Sequence, residues 1–479
     1  MHKNIKNKLS LENLLCLYII LCPILDIVSF LFRNYFKTNF SPSTVLRPLI
    51  PCICFLVLFF KEKNKKQKIG LALIYILYSI IHLILFQKLH NQSSYGIIKN
   101  EIQYIANYSI MIINLYLFYK ILQDKNKLIK SVIITNCIYI FSLFFSIITK
   151  TSTSTYIEGI GFKGYFESGN SLCTVLILSL CIILTEFNLK NLKQIILIFL
   201  NGIYLCSLCG MRTGLFGFAS TILVYITAKF FITIIEKKVL SRKKIIVVSS
   251  AIILIIVLLF FFGANTLQRR KQLKQNEKSN IDLETGEQRH VTGDILDLYK
   301  KIKNNEISDE YMSQEEKNAI VNLTEFANKY KISSVNLREQ QLIYNLFLVK
   351  EQKNPILILF GNGYKNQTGE LVMEMEIPAL ICNFGTIGFI LYMVPFIGIL
   401  TIKTYRVFKN RQEITIESIM CLLGCFLAIA LSCLSGYVFF NFSSMTMAII
   451  LFTRKEIKNE EKIDFWNNKF TARTEQKEY

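Results

Sequence analysis

Residues 374–402 read EMEIPALICNFGTIGFILYMVPFIGILTI, two acidic residues around a methionine followed by a long apolar stretch. Residues 377–402 carry no charged side chain, and a helix needs roughly 20 such residues to cross a bilayer. In lipid, the backbone can satisfy its own polar groups only as a helix or as a closed barrel. The stretch therefore predicts a membrane-spanning helix that begins just after its acidic residues.

The rest of the 479-residue chain repeats this pattern. Hydrophobic residues make up 52% of the sequence and charged residues 19%, which excludes an ordinary soluble protein. We predict an all-α polytopic membrane protein with about twelve transmembrane helices. The seventh and twelfth are short, so a re-entrant segment is the alternative at both places. The predicted spans are 12–32, 44–60, 69–87, 102–120, 131–149, 168–187, 195–210, 215–235, 245–264, 377–402, 417–435 and 441–453.

The distribution of basic residues predicts the orientation in the membrane. The two terminal tails and every second short loop together hold 30 Lys and Arg residues, whereas the alternate short loops hold 8. Cytoplasmic segments are enriched in these residues, so we expect both termini in the cytoplasm. Most of the net charge of +21 then reflects the orientation of the chain in the membrane, and a nucleic-acid partner is not expected.

One polar segment, residues 265–354, interrupts the spans and is expected on the outer side. It holds 15 basic and 14 acidic residues. Ser313-x-x-Glu316 predicts a capped helix with Ile320, Leu323, Ala327 and Tyr330 on one face. A second helix is predicted at 337–349, with an apolar side formed by Ile343, Leu346 and Phe347.

This pattern divides the chain into four parts. We predict an N-terminal membrane bundle (1–264), an extracytoplasmic cap (265–354), a C-terminal membrane part (355–453) and a cytoplasmic tail (454–479).

Charged residues at the outer ends of the spans are the candidates for function, because charge near hydrocarbon is costly. Arginine suits a phosphate or pyrophosphate ligand, since its fork donates two hydrogen bonds and keeps its charge. A nearby carboxylate could take a proton from a hydroxyl group. The candidates are Asp26, Arg47, Arg212, Arg338, Glu374 and Glu376.

Each candidate also has a structural interpretation. Asp26 and Arg47 are expected to pair with each other and orient two helices. Arg212 could anchor a tight turn, and Glu374 and Glu376 could be ordinary acids at a helix N-terminus. Neither the cysteines nor the histidines have a spacing that indicates a metal site. His82 lies within the third predicted span with no evident partner, and we interpret it as structural.

The order of these features resembles the bacterial O-antigen ligase and polymerase family. The resemblance covers about residues 161–452, and the earlier spans agree only in pattern. Its best-matching stretches are Gly164-Tyr165-Phe166-Glu167-Ser168-Gly169-Asn170, Met211-Arg212-Thr213-Gly214, Phe360-Gly361-Asn362-Gly363-Tyr364 and Asn383-Phe384-Gly385-Thr386-Ile387-Gly388-Phe389.

The resemblance implies a helical, GT-C-like membrane fold and a metal-independent glycosyltransferase that needs no cofactor. Such an enzyme takes a glycan from an undecaprenyl-pyrophosphate carrier on the outer face of the cytoplasmic membrane. It implies that Arg212 and Arg338 hold the pyrophosphate. Where ligases commonly have a His, this chain has Glu374, with Glu376 as a second candidate for the general base of an inverting reaction.

Four residues are supporting candidates. Asn170 lies in a matched stretch, and Tyr437 follows Gly436 where many members of the family have a Gly-His pair. Asp26 and Arg47 complete the set.

The missing ligase histidine favours a polymerase that joins lipid-linked repeat units into a capsule, an exopolysaccharide or an O-antigen-like polymer. The expected partners are the lipid-linked donor, a glycan acceptor, membrane lipid and a chain-length regulator. Three alternatives stay open. The first is a ligase that moves a finished glycan to a terminal acceptor, the second a flippase or transporter of the same lipid-linked sugar, and the third a non-enzymatic scaffold.

Overall fold

The fold is described by a computed structural model of the whole chain. Of the predicted parts, the ninth span (245–264) and the tail (454–479) lie outside the described residues apart from Ala264 and Arg454. The described residues are 2–38, 41–61, 65–90, 95–156, 159–188, 191–235, 264–282, 285–309, 311–364, 371–409 and 414–454.

The predicted all-α architecture is confirmed for the described residues. Eight of the described helices come before the cap: α1 (His2–Asn34), α2 (Pro42–Lys61), α3 (Lys65–His90), α4 (Tyr95–Ile121), α5 (Lys125–Ile148), α6 (Gly169–Leu184), α7 (Leu192–Ile203, continued by a π-helical turn to Leu208) and α8 (Arg212–Ile235). The strands described are a short antiparallel pair, β1 (Thr153–Ser154) and β2 (Phe162–Gly164).

Among the described residues, four helices of the cap, one short connecting helix and three C-terminal helices follow. The cap contains α9 (Ala264–Ser279), α10 (Gly293–Lys303), α11 (Gln314–Tyr330) and α12 (Leu337–Gln352), and α13 (Pro355–Phe360) connects it to the C-terminal helices. The C-terminal helices are α14 (Glu376–Lys409), α15 (Ile416–Leu434) and α16 (Phe442–Thr453).

Seven of the described helices are long and apolar enough to cross a membrane: α1, α2, α3, α5, α8, α14 and α15. Helices α6, α7 and α16 are apolar but shorter. Helix α4, at the predicted fourth span, has 27 residues but is not among the seven. It carries the buried polar residues Glu101 and Asn114, which lower its hydropathy.

Helix α6 lies at the centre of the membrane part. Every residue from Ser171 to Leu184 is buried, and α6 packs against α5, α8, α15 and α16. A helix that is apolar on all sides is stable when other helices surround it. The peripheral helices instead expose large apolar side chains, as α3 does at Leu73 and Leu77, and these faces suit contact with lipid.

The cap has a hydrophobic cluster of its own, centred on Ile320 and Leu323 of α11. The predicted capping box is confirmed: the Ser313 hydroxyl accepts from the Glu316 backbone, and the Glu316 carboxylate accepts from the Ser313 backbone. Ile320, Leu323 and Ala327 of the predicted face are buried, whereas Tyr330 and Leu346 are each 58% exposed.

The buried face of α12 differs from the predicted apolar face because amide side chains occupy buried positions on this helix. The buried side of this helix includes Gln340, Gln341 and Asn345. The Gln340 amide donates to the carbonyl oxygens of Ser333 and Ser334. A buried amide is stable when its hydrogen bonds are made, so polarity here does not indicate a solvent-facing side.

A glycine contact joins the end of the cap to α14. Helix α14 is kinked at Gly385, which has φ +69°. Across the kink, the backbone N–H groups of Asn362 and Gly363 donate to the carbonyls of Cys382 and Asn383 at 3.0 and 2.8 Å. A Cβ atom at Gly361 would lie 2.2 Å from the Asn383 backbone, so this approach requires glycine. The first half of α14 is thereby fixed to the turn that closes the cap.

Candidate functional site

An ion pair joins the cap to the N-terminal end of α14. Arg338, in the first turn of α12, places its Nε atom 3.1 Å from Oε2 of Glu374. One helical turn further, the Gln341 side-chain oxygen accepts from the Glu374 backbone N–H at 3.1 Å. Both charged side chains keep about a third of their surface exposed, 36% for Arg338 and 35% for Glu374. The pair is fixed in place and still reachable from outside the protein.

Tyr437 completes this cluster from the loop between α15 and α16. It has φ +64°, a left-handed conformation that is uncommon for a non-glycine residue. Burial raises the pKa of Tyr437, the nearby charges of Glu374 and Glu376 raise it further, and Arg338 opposes the rise. The phenol therefore stays protonated at neutral pH as a neutral neighbour of the ion pair.

Glu376 has different surroundings from Glu374, although the two are only two residues apart. Its carboxylate is buried, and it accepts hydrogen bonds from the backbone N–H groups of Val438, Phe439 and Phe440 at 2.8 to 2.9 Å. These bonds hold the loop that carries Tyr437 against α14. Of the two carboxylates, Glu374 is the more accessible to a substrate.

Arg212 lies in another part of the site, as the first residue of α8 after a turn at Gly210. Its side chain is exposed. Burial raises the pKa of Tyr156, and the positive charges of Arg269 and Arg212 oppose the rise. Arg269 of α9 stacks on the Tyr156 ring with 4.4 Å between its guanidinium carbon and the ring centroid.

The structure brings together only some of the predicted site residues. It places Arg338, Glu374 and Tyr437 in one cluster. Arg212 lies instead in the region of Tyr156 and Arg269. Asn170 is half-buried in the first turn of α6, beside Gly169, which packs on the Met211 side chain next to Arg212.

The expected pairing of Asp26 and Arg47 is confirmed. Arg47 Nη2 lies 2.5 Å from one carboxylate oxygen of Asp26, and the hydroxyl groups of Tyr139 and Ser443 donate to the other. The network links α1, α2, α5 and α16 within the membrane part. Such a buried pair orients helices, as the sequence analysis favours.

His82 has a partner that the sequence did not indicate. Its Nε2 atom lies 2.7 Å from Oε1 of Glu101, and its Nδ1 atom lies 2.7 Å from the Phe360 carbonyl oxygen. The second Glu101 oxygen accepts from the Tyr364 backbone N–H. The pair thus holds both ends of the glycine turn that clamps α14. The signal in the sequence was a lone Glu near the start of an apolar helix.

Comparison with known proteins agrees with this architecture. The profile of a family described as O-antigen ligase like membrane protein matches residues 7–454, nearly the whole chain. A comparison with curated proteins found no match. The match includes the membrane helices, the cap and all of the candidate residues described above. With a helical membrane part and a family match of this extent, the protein is an integral membrane protein that belongs to the O-antigen ligase-like family.

Proposed function

We propose that this protein is a polysaccharide polymerase that joins undecaprenyl-pyrophosphate-linked repeat units on the outer face of the cytoplasmic membrane. Membership in the family supports a glycosyltransferase-type enzyme that acts on lipid-linked glycans. The observation that carries the proposal is the half-exposed pair of Arg338 and Glu374 between the cap and α14. It combines a group that binds phosphate with a group that accepts a proton.

The proposed topology follows from the distribution of charge. Residues 1–264 and 355–453 form a GT-C-like membrane part with about twelve spans, and residues 265–354 cap it on the outer side. Both termini lie in the cytoplasm. A chain-length regulator is a candidate partner of the cap.

In the proposed reaction, an acceptor hydroxyl attacks the anomeric carbon of the donor sugar. The hydroxyl proton passes to Glu374 as the new C–O bond forms. The bond between the anomeric carbon and the diphosphate breaks, and its electron pair leaves with undecaprenyl pyrophosphate. Attack from the face opposite the diphosphate inverts the anomeric centre. No metal ion is required if arginines stabilise the developing negative charge.

The geometry of Arg338 suits two tasks at once. Its Nε atom donates to Glu374, and no hydrogen bond within the described part of the chain uses its two Nη atoms. These can donate to phosphate oxygens while Nε keeps the carboxylate in place. Arg212, which is exposed at the start of α8, is proposed as the second arginine on the diphosphate. Tyr437, Asn170, Asp26 and Arg47 are supporting residues.

A strain that lacks the gene and carries single variants tests the assignment. Arg338→Ala, Arg212→Ala and Glu374→Gln should each abolish long polymer, and Lys at either arginine position should restore only part of it. Arg270→Ala, which removes an exposed charge of the same type, is the matched control and should leave polymer unchanged. Membrane protein level is measured for every variant. Normal polymer in all three loss variants would refute the proposal.

The same strain separates the alternatives. Loss of long chains with single repeats retained on the acceptor supports a polymerase. Long chains that accumulate on the carrier lipid support a ligase. Lipid-linked repeats that accumulate on the cytoplasmic side support a flippase. Full polymer in every arginine variant would support a scaffold.

A further inference from the structure

Three segments that are distant in sequence meet beside Arg212. The Thr155 hydroxyl donates to the Cys209 carbonyl at 3.0 Å, and the Gly161 backbone packs directly against the same carbonyl. The Asn265 side chain, at the start of α9, donates to the Ser207 carbonyl at 2.6 Å. The loop around Tyr156 and the first turns of α9 are therefore both anchored on the turn that leads into α8.

A second guanidinium group lies in the region anchored on the turn before Arg212. Arg269 lies over the Tyr156 ring at 4.4 Å, a distance at which a cation is attracted to the face of an aromatic ring. This contact restrains the guanidinium group, so less side-chain entropy is lost when the group binds a ligand. Tyr156 follows Thr155, which is hydrogen-bonded to the turn that leads into Arg212, so the two arginines belong to one anchored region.

The other basic residues of α9 give the surrounding surface a general positive potential, to which each exposed side chain contributes little. The helix carries five basic residues and one acidic residue, and Arg270, Lys271, Lys274 and Lys278 are exposed. Under the predicted topology α9 follows the ninth span on the outer side, where Lys and Arg are normally sparse. The orientation of the chain in the membrane therefore does not explain these basic residues, whereas an anionic ligand does.

We propose that Arg269, held on the Tyr156 ring, binds the diphosphate of the lipid-linked donor together with Arg212. This inference rests on the proposed function and adds a residue to it. A diphosphate presents several anionic oxygens on two phosphorus atoms, more than a single arginine fork can bind. In this arrangement Arg212 and Arg269 hold the diphosphate from the side of α8, and Arg338 connects it to Glu374.

Binding of undecaprenyl pyrophosphate to the purified protein in nanodiscs tests the inference, with undecaprenol as the ligand that lacks phosphates. Arg269→Ala should weaken undecaprenyl pyrophosphate binding about tenfold or more, the loss expected for a charge-assisted contact. Arg270→Ala, one position along the same helix, should change it less than about twofold. Tyr156→Leu should weaken binding and Tyr156→Phe should not, because phenylalanine keeps the ring face.

The outcomes distinguish this inference from the proposed function. Weakened binding in Arg212→Ala with normal binding in Arg269→Ala would overturn the role of Arg269 and leave that of Arg212. Normal binding in both would also remove Arg212 from the proposed function. Equal losses in Arg269→Ala and Arg270→Ala would show general attraction by α9 and would overturn the site. Arg269→Lys provides a variant that keeps the charge if the alanine variant does not fold, and it should show an intermediate loss.

Discussion

Replacing Glu376 should lower the stability of the protein more than it lowers the catalytic activity. The carboxylate accepts three backbone hydrogen bonds, from Val438 and Phe440 at Oε1 and from Phe439 at Oε2. In Glu376→Ala all three N–H groups lose their acceptor. Val438 and Phe439 are fully buried, whereas Phe440 is only partly buried.

The size of the stability loss follows from the N–H groups of the two fully buried residues, Val438 and Phe439. A buried donor left without a partner costs about 1–3 kcal/mol, so the alanine variant should lose about 2–6 kcal/mol. In Glu376→Gln the amide oxygen keeps the bonds from Val438 and Phe440, and the amide nitrogen faces the Phe439 N–H. One unmatched donor pair should then cost about 1–3 kcal/mol.

Unfolding of the purified variants in one detergent measures this order of stability. Glu374→Ala is the matched control: its carboxylate is half-exposed and its ion pair with Arg338 should contribute at most about 1 kcal/mol. Activity is measured per folded molecule. Glu374→Gln should lose activity and keep the stability of the wild-type protein, whereas Glu376→Gln should lose stability and keep its activity. If Glu376→Ala unfolds at the same midpoint as the wild-type protein, the structural role of this carboxylate is refuted.

Three further experiments test the packing that surrounds the site, each by unfolding in detergent. Gly361→Ala should lose at least about 1–2 kcal/mol from its left-handed φ, plus the clash with α14; a wild-type midpoint would contradict the interlock. Arg47→Met should cost about 3–5 kcal/mol by leaving Asp26 unpaired, and Asp26→Asn in the same chain should recover part of it. His82→Ala should destabilise the protein more than Glu101→Gln, because it leaves the Phe360 carbonyl and one buried Glu101 oxygen without their hydrogen-bond partner. The opposite order would assign the main role to Glu101 alone.

Local patterns were sufficient for much of the fold. Uninterrupted apolar stretches predicted the long membrane helices, and the capping box predicted where α11 begins, because both depend on residues close in sequence. The pairing of Asp26 with Arg47 was also predictable. Two opposite charges in neighbouring apolar spans cannot both stay unpaired at an acceptable cost.

Contacts between distant residues were not predictable in this way. Glu374 and Glu376 are the same residue type at nearly the same position, and only a loop 60 residues later distinguishes them by covering Glu376. His82 and Glu101 are on separate helices, and neither has a periodic pattern that indicates the other. The buried amides of α12 look like solvent-facing residues in the sequence, and only their carbonyl partners explain their burial. For Glu376 and His82, the backbone that satisfies the side chain comes from a distant part of the chain.

The glycine-rich stretches that carry the family resemblance have a packing role in this structure. Residues 360–364 close onto the kink at Gly385, and residues 161–169 close onto residues 209–211, each through backbone contacts that a side chain would block. The arginines, Glu374 and Tyr437 lie beside these contacts and do not form them. Glycine substitutions in these stretches should therefore reduce the amount of folded protein, whereas substitutions of Arg212, Arg338 or Glu374 should leave it intact and inactive. A shared motif in this chain then marks where helices meet, and the proposed chemistry depends on the few charged groups that lie beside those contacts.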